Sequence, residues 1–573
     1  MTRKISKLDR RNFLSASAVL AGGVALNGLL PGWAISGTEG AGPGQTTLNG
    51  PDIDISVGHV RVKIDGKPGH AVAMNGTVPA PLLRFKEGQT ARIRVTNTLD
   101  EDTSIHWHGL LVPFLMDGVP GLTFPGIKPG ETFTYEFPLI QSGTYWYHSH
   151  SGMQEPMGHY GPLIIDPAGP DPIAYDREHV VVLSDYSRQH PHVLMQKMKQ
   201  QSGLFNFQKQ TVGGLLGGKD QTFAQRREWA KMLMDPTDIS DVTGNVFTFL
   251  INGHGPKDNW TGLFKPGERV RLRFINAAAQ TIFNVRIPGL KLTVVAADGQ
   301  NVEPVEVDEF QIANAETYDV IVQPMDDKAY TLVSEAVDRS GRGRATLAPR
   351  LGMTAEVPPL RERPLGTMRD MGMDMSGMHM GGMHGGGGHT MDMSMRNPDN
   401  APGVKMGPGV QMLSPMPMDR SAEPGQGLET AGHKVLVYTD LVARDPNPDT
   451  RPPTRTLDIH LTGNMERFMW GFDGKSYAEG PPPYAFQAGE RVQVTLINDT
   501  MMAHPIHLHG HFFELAFGPD GRHPRKHTVL VLPGGKVSFD FTAETGDWAI
   551  HCHMAYHMHS GMFQVFAVRK AAA

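Results

Sequence analysis

Phe85-Lys-Glu-Gly88-Gln-Thr-Ala-Arg-Ile-Arg-Val-Thr-Asn97 is the first of three copies of one pattern in this chain. It returns as Phe264-Lys-Pro-Gly267-Glu-Arg-Val-Arg-Leu-Arg-Phe-Ile-Asn276 and as Phe486-Gln-Ala-Gly489-Glu-Arg-Val-Gln-Val-Thr-Leu-Ile-Asn498. Each copy sets the glycine three residues and the asparagine twelve residues after the phenylalanine. The glycine suits a turn, and the apolar alternation after it (Ile93, Val95; Leu272, Phe274; Val492, Val494, Leu496) has the period of a half-buried strand.

A second block recurs beside the first. Gly130-Glu-Thr-Phe-Thr-Tyr-Glu-Phe137, then Gly143 and His148, parallels Gly535-Lys-Val-Ser-Phe-Asp-Phe541, then Gly546 and His551. The middle copy keeps only an echo without histidines, Glu316-Thr-Tyr-Asp-Val-Ile-Val322. A strand-rich unit repeated three times predicts an all-β chain of three Greek-key β-sandwich domains, near 46–168, 172–345 and 431–570. Two stretches depart from the unit. Residues 190–235, with Met195, Met198, Leu204, Trp229, Met232 and Leu233 among polar neighbours, read as a helical insertion in the middle domain. Residues 346–430 read as a Met/His/Gly-rich flexible linker: Met368 to Met418 hold 14 methionines, with His379, His384 and His389 among glycines, a composition expected to form no packed core.

Over 573 residues there is one cysteine, Cys552, beside 26 histidines and 32 methionines. One cysteine excludes an internal disulfide framework, a two-cysteine zinc module and a thiolate-held iron–sulfur cluster within the chain. Arg10-Arg11-Asn12-Phe13-Leu14 precedes an apolar, small-residue run from Ala16 to Leu30, which is too short and Gly-rich to span a membrane. It resembles a twin-arginine signal peptide over 1–34, the address of folded proteins sent to the periplasm. Those 34 residues carry five lysines and arginines against one aspartate, so a chain cut there moves from −6 to −10. That balance argues against nucleic acid or an anionic membrane surface as a partner, and no later segment reads as a membrane span.

Four histidine clusters stand out: His106-Trp-His108, His148-Ser-His150, His504-Pro-Ile-His507-Leu-His509 and His551-Cys552-His553, the last followed by His557 and Met562. Alternate residues of a strand share a face. The pairs 106/108, 148/150, 507/509 and 551/553 therefore each point one way, while Cys552 and His504 point the other. Two sites result: Cys552 with His504, His557 and Met562, and a set of eight histidines, four from each outer domain. A thiolate with two imidazoles and a weak axial thioether is the donor set of a blue-copper centre, although zinc also accepts cysteine and histidine. Eight imidazoles suffice for three further coppers, about 10 Å away across the sheet. The first and third domains must then face each other.

With these four motifs the mature chain resembles the three-domain multicopper oxidases, which implies cupredoxin-like domains. The leader, insertion and linker resemble more narrowly the copper-resistance branch of that family. The resemblance implies four copper ions: His504, Cys552, His557 and Met562 as type 1 ligands, His106 and His507 at type 2, and type 3 ligands His108, His148 and His553 on one ion, His150, His509 and His551 on the other. It implies a periplasmic enzyme that takes single electrons through Cys552 and reduces O2 to water. Asp117 matches the family's acidic residue near the cluster, a candidate proton donor. Where some relatives have an acid after the last type 1 histidine, this chain has Met558. Thioether sulfur prefers Cu(I), so Asp499, Met501 and Met502 beside His504, and Met375, Met378 and Met380 in the linker, are candidate sites for labile substrate Cu(I). Two alternatives stand beside a cuprous oxidase: a laccase-type phenol oxidase, and a copper-sequestering protein with secondary oxidase activity. A copper nitrite reductase needs no eight-histidine set. A monomer is expected, since one chain carries every ligand, and other periplasmic copper-handling proteins are candidate partners.

Overall fold

The computed structural model describes residues 46–373 and 394–570. The leader and Met375, Met378 and Met380 lie outside the described residues. The chain forms three two-sheet β-sandwiches. In the first, a sheet of Thr47–Asn49, Leu82–Lys86, Tyr160–Asp166, Gly143–His148 and His106–His108 faces one of Lys67–Met74, Asp52–Ile64, Thr90–Asn97 and Thr132–Pro138. The third has the same plan: Tyr484–Gln487, Phe563–Arg569, Gly546–Cys552, His504–Leu508 and Thr528–Val531 form the sheet that carries its histidines. The middle sandwich is built alike around Val270–Asn276 and Tyr330–Ala336, with no histidine motif.

The threefold pattern does one job three times. Its phenylalanine is buried and its glycine turns the chain from one sheet to the other with φ of +87°, +87° and +78° at Gly88, Gly267 and Gly489, a conformation that side chains resist. Its asparagine then closes the far end. Asn97 Nδ2 donates to the carbonyls of Glu101 and Ile127 (both 2.8 Å), Asn276 Nδ2 to those of Thr281 and Ile312 (both 3.0 Å), and Asn498 Nδ2 to those of Met502 (2.7 Å) and Val531 (3.0 Å). Each Oδ1 accepts the amide two residues on, from Leu99, Ala278 or Thr500. Buried polar groups of this kind satisfy loop backbone that has no ladder partner.

The middle copy departs from a half-buried pattern, because every residue of Val270–Asn276 is buried. Its outward arginines lie under the first domain: Arg271 pairs with Asp319 (2.6 Å), and Arg273 donates to Thr144 (2.9 Å) on the strand that leads to His148. The insertion contains the helices Pro191–Gln200, Val212–Leu216 and Phe223–Lys231. Among the described residues no helix is long and apolar enough to cross a membrane.

The expectation that 346–430 forms no packed core does not hold for its described flanks. Met371 and Met412 are buried with Trp229 and Met501, and Met232, Met234, Met373, Met395 and Met465 pack around them. Ala401, Val404, Val410 and Leu413 form a further cluster, and Met418–Asp419 adds a strand beside Gly535. Composition excludes a core made by the segment alone; it does not exclude unbranched thioethers filling the gap between an inserted helix and a finished sandwich.

Replacing Asn276 by Ala leaves two buried carbonyls and one amide unpartnered, a cost of about 2–3 kcal/mol. We expect a lower thermal midpoint by calorimetry.

Candidate metal centre

The cysteine site is closed on all sides. His504 and Cys552 come from paired strands, with Ile506 opposite Cys552, and His557 lies on the short helix Ala555–His559 that follows. Cys552 Sγ is 3.6 Å from His504 Nδ1 and 3.8 Å from His557 Nδ1, and the two nitrogens are 3.3 Å apart. The outer nitrogens are anchored: His504 Nε2 meets the Thr500 hydroxyl (2.8 Å) and His557 Nε2 donates to Asp241 Oδ2 (2.8 Å). Met562 is buried beside them, its carbonyl accepting the Cys552 amide (3.1 Å) and its amide donating to His557 (3.1 Å). Trp470 stacks on His557 at 4.0 Å. Burial pushes the Cys552 thiol up, so the thiolate needs a cation beside it.

The eight histidines meet where the first and third domains face each other. His106 stacks on His509 (3.9 Å) and His108 on His507 (3.8 Å), one partner from each domain. Outer nitrogens are again committed. His106 Nδ1 donates to the Asp117 carbonyl (2.7 Å), His509 Nδ1 to Asp117 Oδ2 (2.8 Å), His507 Nδ1 to the His527 carbonyl (2.7 Å), His551 Nδ1 to the Cys552 carbonyl (3.0 Å) and His148 Nδ1 to the Ser149 carbonyl (3.1 Å), with Glu155 Oε2 2.9 Å from the same nitrogen. The inner nitrogens are left without partners: Nε2 of His106, His148, His150 and His507, Nδ1 of His108 and both nitrogens of His553. Nε2 of His509 and His551 face each other at 3.1 Å. Ligand nitrogens of His150, His509 and His551 lie within 4.8 Å of one another, as do those of His106, His507 and His509, and of His106, His108 and His148. Burial holds His108, His148, His150, His507, His551 and His553 well below the ordinary imidazole range, so they stay neutral with lone pairs available. Partnerless buried nitrogens converging from several strands are costly unless cations complete them, so both sites fit soft or borderline metal ions.

Comparison with known proteins shows the family. Multicopper oxidase family models match residues 56–169, 177–355 and 450–572. Copper resistance protein A of Escherichia coli is 47% identical, over 98% of this chain and all of its own length. A protein of the same name from Pseudomonas syringae pv. tomato is 46% identical over 99% of this chain and all of its own. Among solved structures, a laccase from Botrytis aclada superposes with a TM-score of 0.62 over 91% of this chain and 88% of that one, at 22% identity. The chain belongs to the multicopper oxidase family.

As an enzyme of this family the oxidase uses copper and takes O2 as electron acceptor. Four residues around its sites carry no motif in the sequence. Asp241, from the middle domain, holds His557; Glu155 lies against His148, its carboxyl pushed up by burial; Trp470 covers the cysteine site; His527, fully buried, orients His507 through its carbonyl. Asp117, the expected proton donor, sits where one carboxylate reaches an imidazole from each outer domain. Burial would raise it, but His509 and His106 outweigh that and hold it below the usual carboxylate range. The substrate candidates separate. Met501 joins the methionine cluster, Met502 lies in the main core, and both oxygens of Asp499 are taken, by the Ser414 amide and by His460 (each 2.7 Å). His150 is half-buried and lines a cleft open to solvent with Lys199, Tyr477 and Met558.

Asp117→Asn keeps the backbone carbonyl that holds His106 but trades the carboxylate that holds His509 Nδ1 for a neutral amide with a single acceptor oxygen. Copper affinity of the eight-histidine site should fall about 10–100-fold, the usual effect of losing a ligand's outer partner. Titration with copper should show this while the intense thiolate-to-copper absorption of the Cys552 site persists.

Proposed function

We propose that this oxidase is a periplasmic cuprous oxidase of copper resistance, exported by the twin-arginine pathway, that oxidises Cu(I) to Cu(II) and reduces O2 to water. The observation that carries the substrate is a cleft lined by Met234, Asp235, Asp238, Met465, Glu466 and Met501. Thioethers select Cu(I), and carboxylates accept the Cu(II) that forms. Burial, and then the neighbouring Asp235, push the Asp238 carboxyl up to about 7, with Lys209 of the same cleft only partly offsetting them.

The walls of the cleft lead to the cysteine site from three directions. Met501 follows Thr500, which bonds His504; Asp238 lies three residues before Asp241, which bonds His557; Met465 lies three residues before Phe468, whose ring is 6.1 Å from His557. In this reading His504, Cys552, His557 and Met562 hold type 1 copper, His106 and His507 type 2, and His108, His148 and His553 with His150, His509 and His551 the type 3 pair. Bound copper supplies one-electron redox chemistry and the site at which O2 is reduced. The protein's part is to place the route. Cys552 lies between His551 and His553 on one chain, and its carbonyl accepts from His551 Nδ1, so each electron has a short bonded path to two imidazoles. Asp117 holds the imidazoles it bonds in fixed orientation, and Glu155 lies against His148. Met375, Met378 and Met380 would deliver Cu(I) to the cleft. Phenols would donate electrons at the same face as secondary substrates, and the protein would act as a monomer, beside other periplasmic copper-handling proteins.

Oxygen uptake with Cu(I) as sole reductant tests the reading. Uptake should be fast in the wild type and absent in Cys552→Ser; a Cys552→Ser protein that still confers full copper tolerance would instead identify sequestration as the function. Changing Met234, Met465 and Met501 together to Leu should raise the KM for Cu(I) about tenfold, on the scale of lost metal contacts, and leave phenol oxidation unchanged. Replacing 374–393 by a Gly/Ser stretch should slow uptake at limiting Cu(I) only.

A further inference from the structure

The middle domain has none of the copper motifs, yet it reaches the eight-histidine chamber through a fully buried ion cluster. Lys526 Nζ lies 3.1 Å from Asp298 Oδ2 and 3.0 Å from Glu316 Oε1, all three side chains buried, between the rings of Tyr318 and Tyr438. Tyr438 donates its hydroxyl to Glu316 (2.7 Å). Asp298 has a left-handed backbone (φ +46°); its Oδ1 accepts the Thr317 amide (3.0 Å) and its Oδ2 accepts the amides of both His527 (3.2 Å) and Thr528 (3.1 Å). As a means of joining domains this is a poor choice, since a buried ion pair adds little over apolar packing. Its geometry serves something more specific.

The clamped His527–Thr528 segment addresses two chamber imidazoles from one place. The His527 carbonyl can only accept, so His507 carries its proton on Nδ1 and turns a bare Nε2 inward. The Thr528 hydroxyl lies 3.3 Å from His108 Nε2 and 3.0 Å from His527 Nδ1. A hydroxyl has one proton. That of Thr528 also lies 3.3 Å from His507 Nδ1. With His108 a ligand, its partnerless Nδ1 is bare, so its Nε2–H donates to the hydroxyl, which in turn donates to His527 Nδ1. Two imidazoles from different domains, stacked at 3.8 Å, thus offer opposite nitrogens to the chamber.

We propose that Asp298, Lys526 and Glu316 are positioning residues which, through the His527–Thr528 segment, set the tautomers of His507 and His108 and so decide which nitrogen each presents to copper. The inference rests on the assignment of these histidines as ligands, and its first readout does not need copper. In copper-free, full-length protein labelled with 15N-histidine, long-range 1H–15N correlation should show His507 protonated at Nδ1 and His108 at Nε2. Thr528→Val, of equal shape, should release His108 into a mixture of tautomers, and Thr528→Ser should restore the single form. Lys526→Met should release both rings; should it fail to fold, Glu316→Gln, which loosens Lys526 without opening a cavity, takes its place. On loading, Thr528→Val should bind chamber copper about 10–100-fold more weakly with the blue absorption and thermal midpoint of the wild type. Unchanged tautomers in Thr528→Val and in the clamp variant would overturn the proposal, and would leave the triad as domain packing. Altered tautomers with unchanged copper binding would overturn its link to the metal while leaving the ligand assignment standing.

Discussion

Alternation along a strand is the constraint from which the rest of the site follows. In Gly546–Cys552 and the residue after it, His551 and His553 turn to one side of the sheet and Cys552 to the other. Three consecutive residues therefore belong to two candidate metal sites, and the spacing between them cannot drift. The neighbouring strand obeys the same rule, since His504 joins the cysteine side and His507 the chamber side. Further contacts hold these faces in place: in most of the rings the outer nitrogen is tied to a carbonyl, a hydroxyl or a carboxylate so that the inner one has a fixed direction.

The chamber also depends on docking. Asp117, on a turn of the first domain, accepts from a ring of its own domain and from a ring of the third. The arginines of the middle domain bind the strand that carries His148. A small relative rotation of the domains would separate the stacked pairs 106/509 and 108/507, so the buried polar contacts between domains set the geometry at the metal positions as much as they hold the body together.

What could be read in the sequence had short periods. The threefold repeat, the glycine turn and the parity of the His-x-His strands are all local, and they led to the sandwiches and to both histidine groupings. What could not be read lies far apart along the chain. Asp241 meets His557 across 316 residues, and Asp298 meets Thr528 across 230; no spacing rule connects them. Asp499 shows the opposite failure. Its place beside His504 suggested a cation ligand, but burial had already assigned its oxygens to His460 and Ser414. The methionine-rich flanks mislead in another way, since low complexity predicts no core of their own and says nothing of a gap elsewhere that thioethers can fill.

Asp117 and His509 are separated by 392 residues of chain. At the pace of a ribosome that is roughly 20–80 s of synthesis. For that time the first domain is folded with four chamber histidines and no opposing face. His106, His108 and His148 can converge within that domain alone, whereas the groups that include His507, His509 or His551 exist only when the last strands have been added. Division of the chamber between the two ends of the chain thus makes its completion the final act of assembly: an unfinished or truncated chain lacks the third domain's half of the donor set.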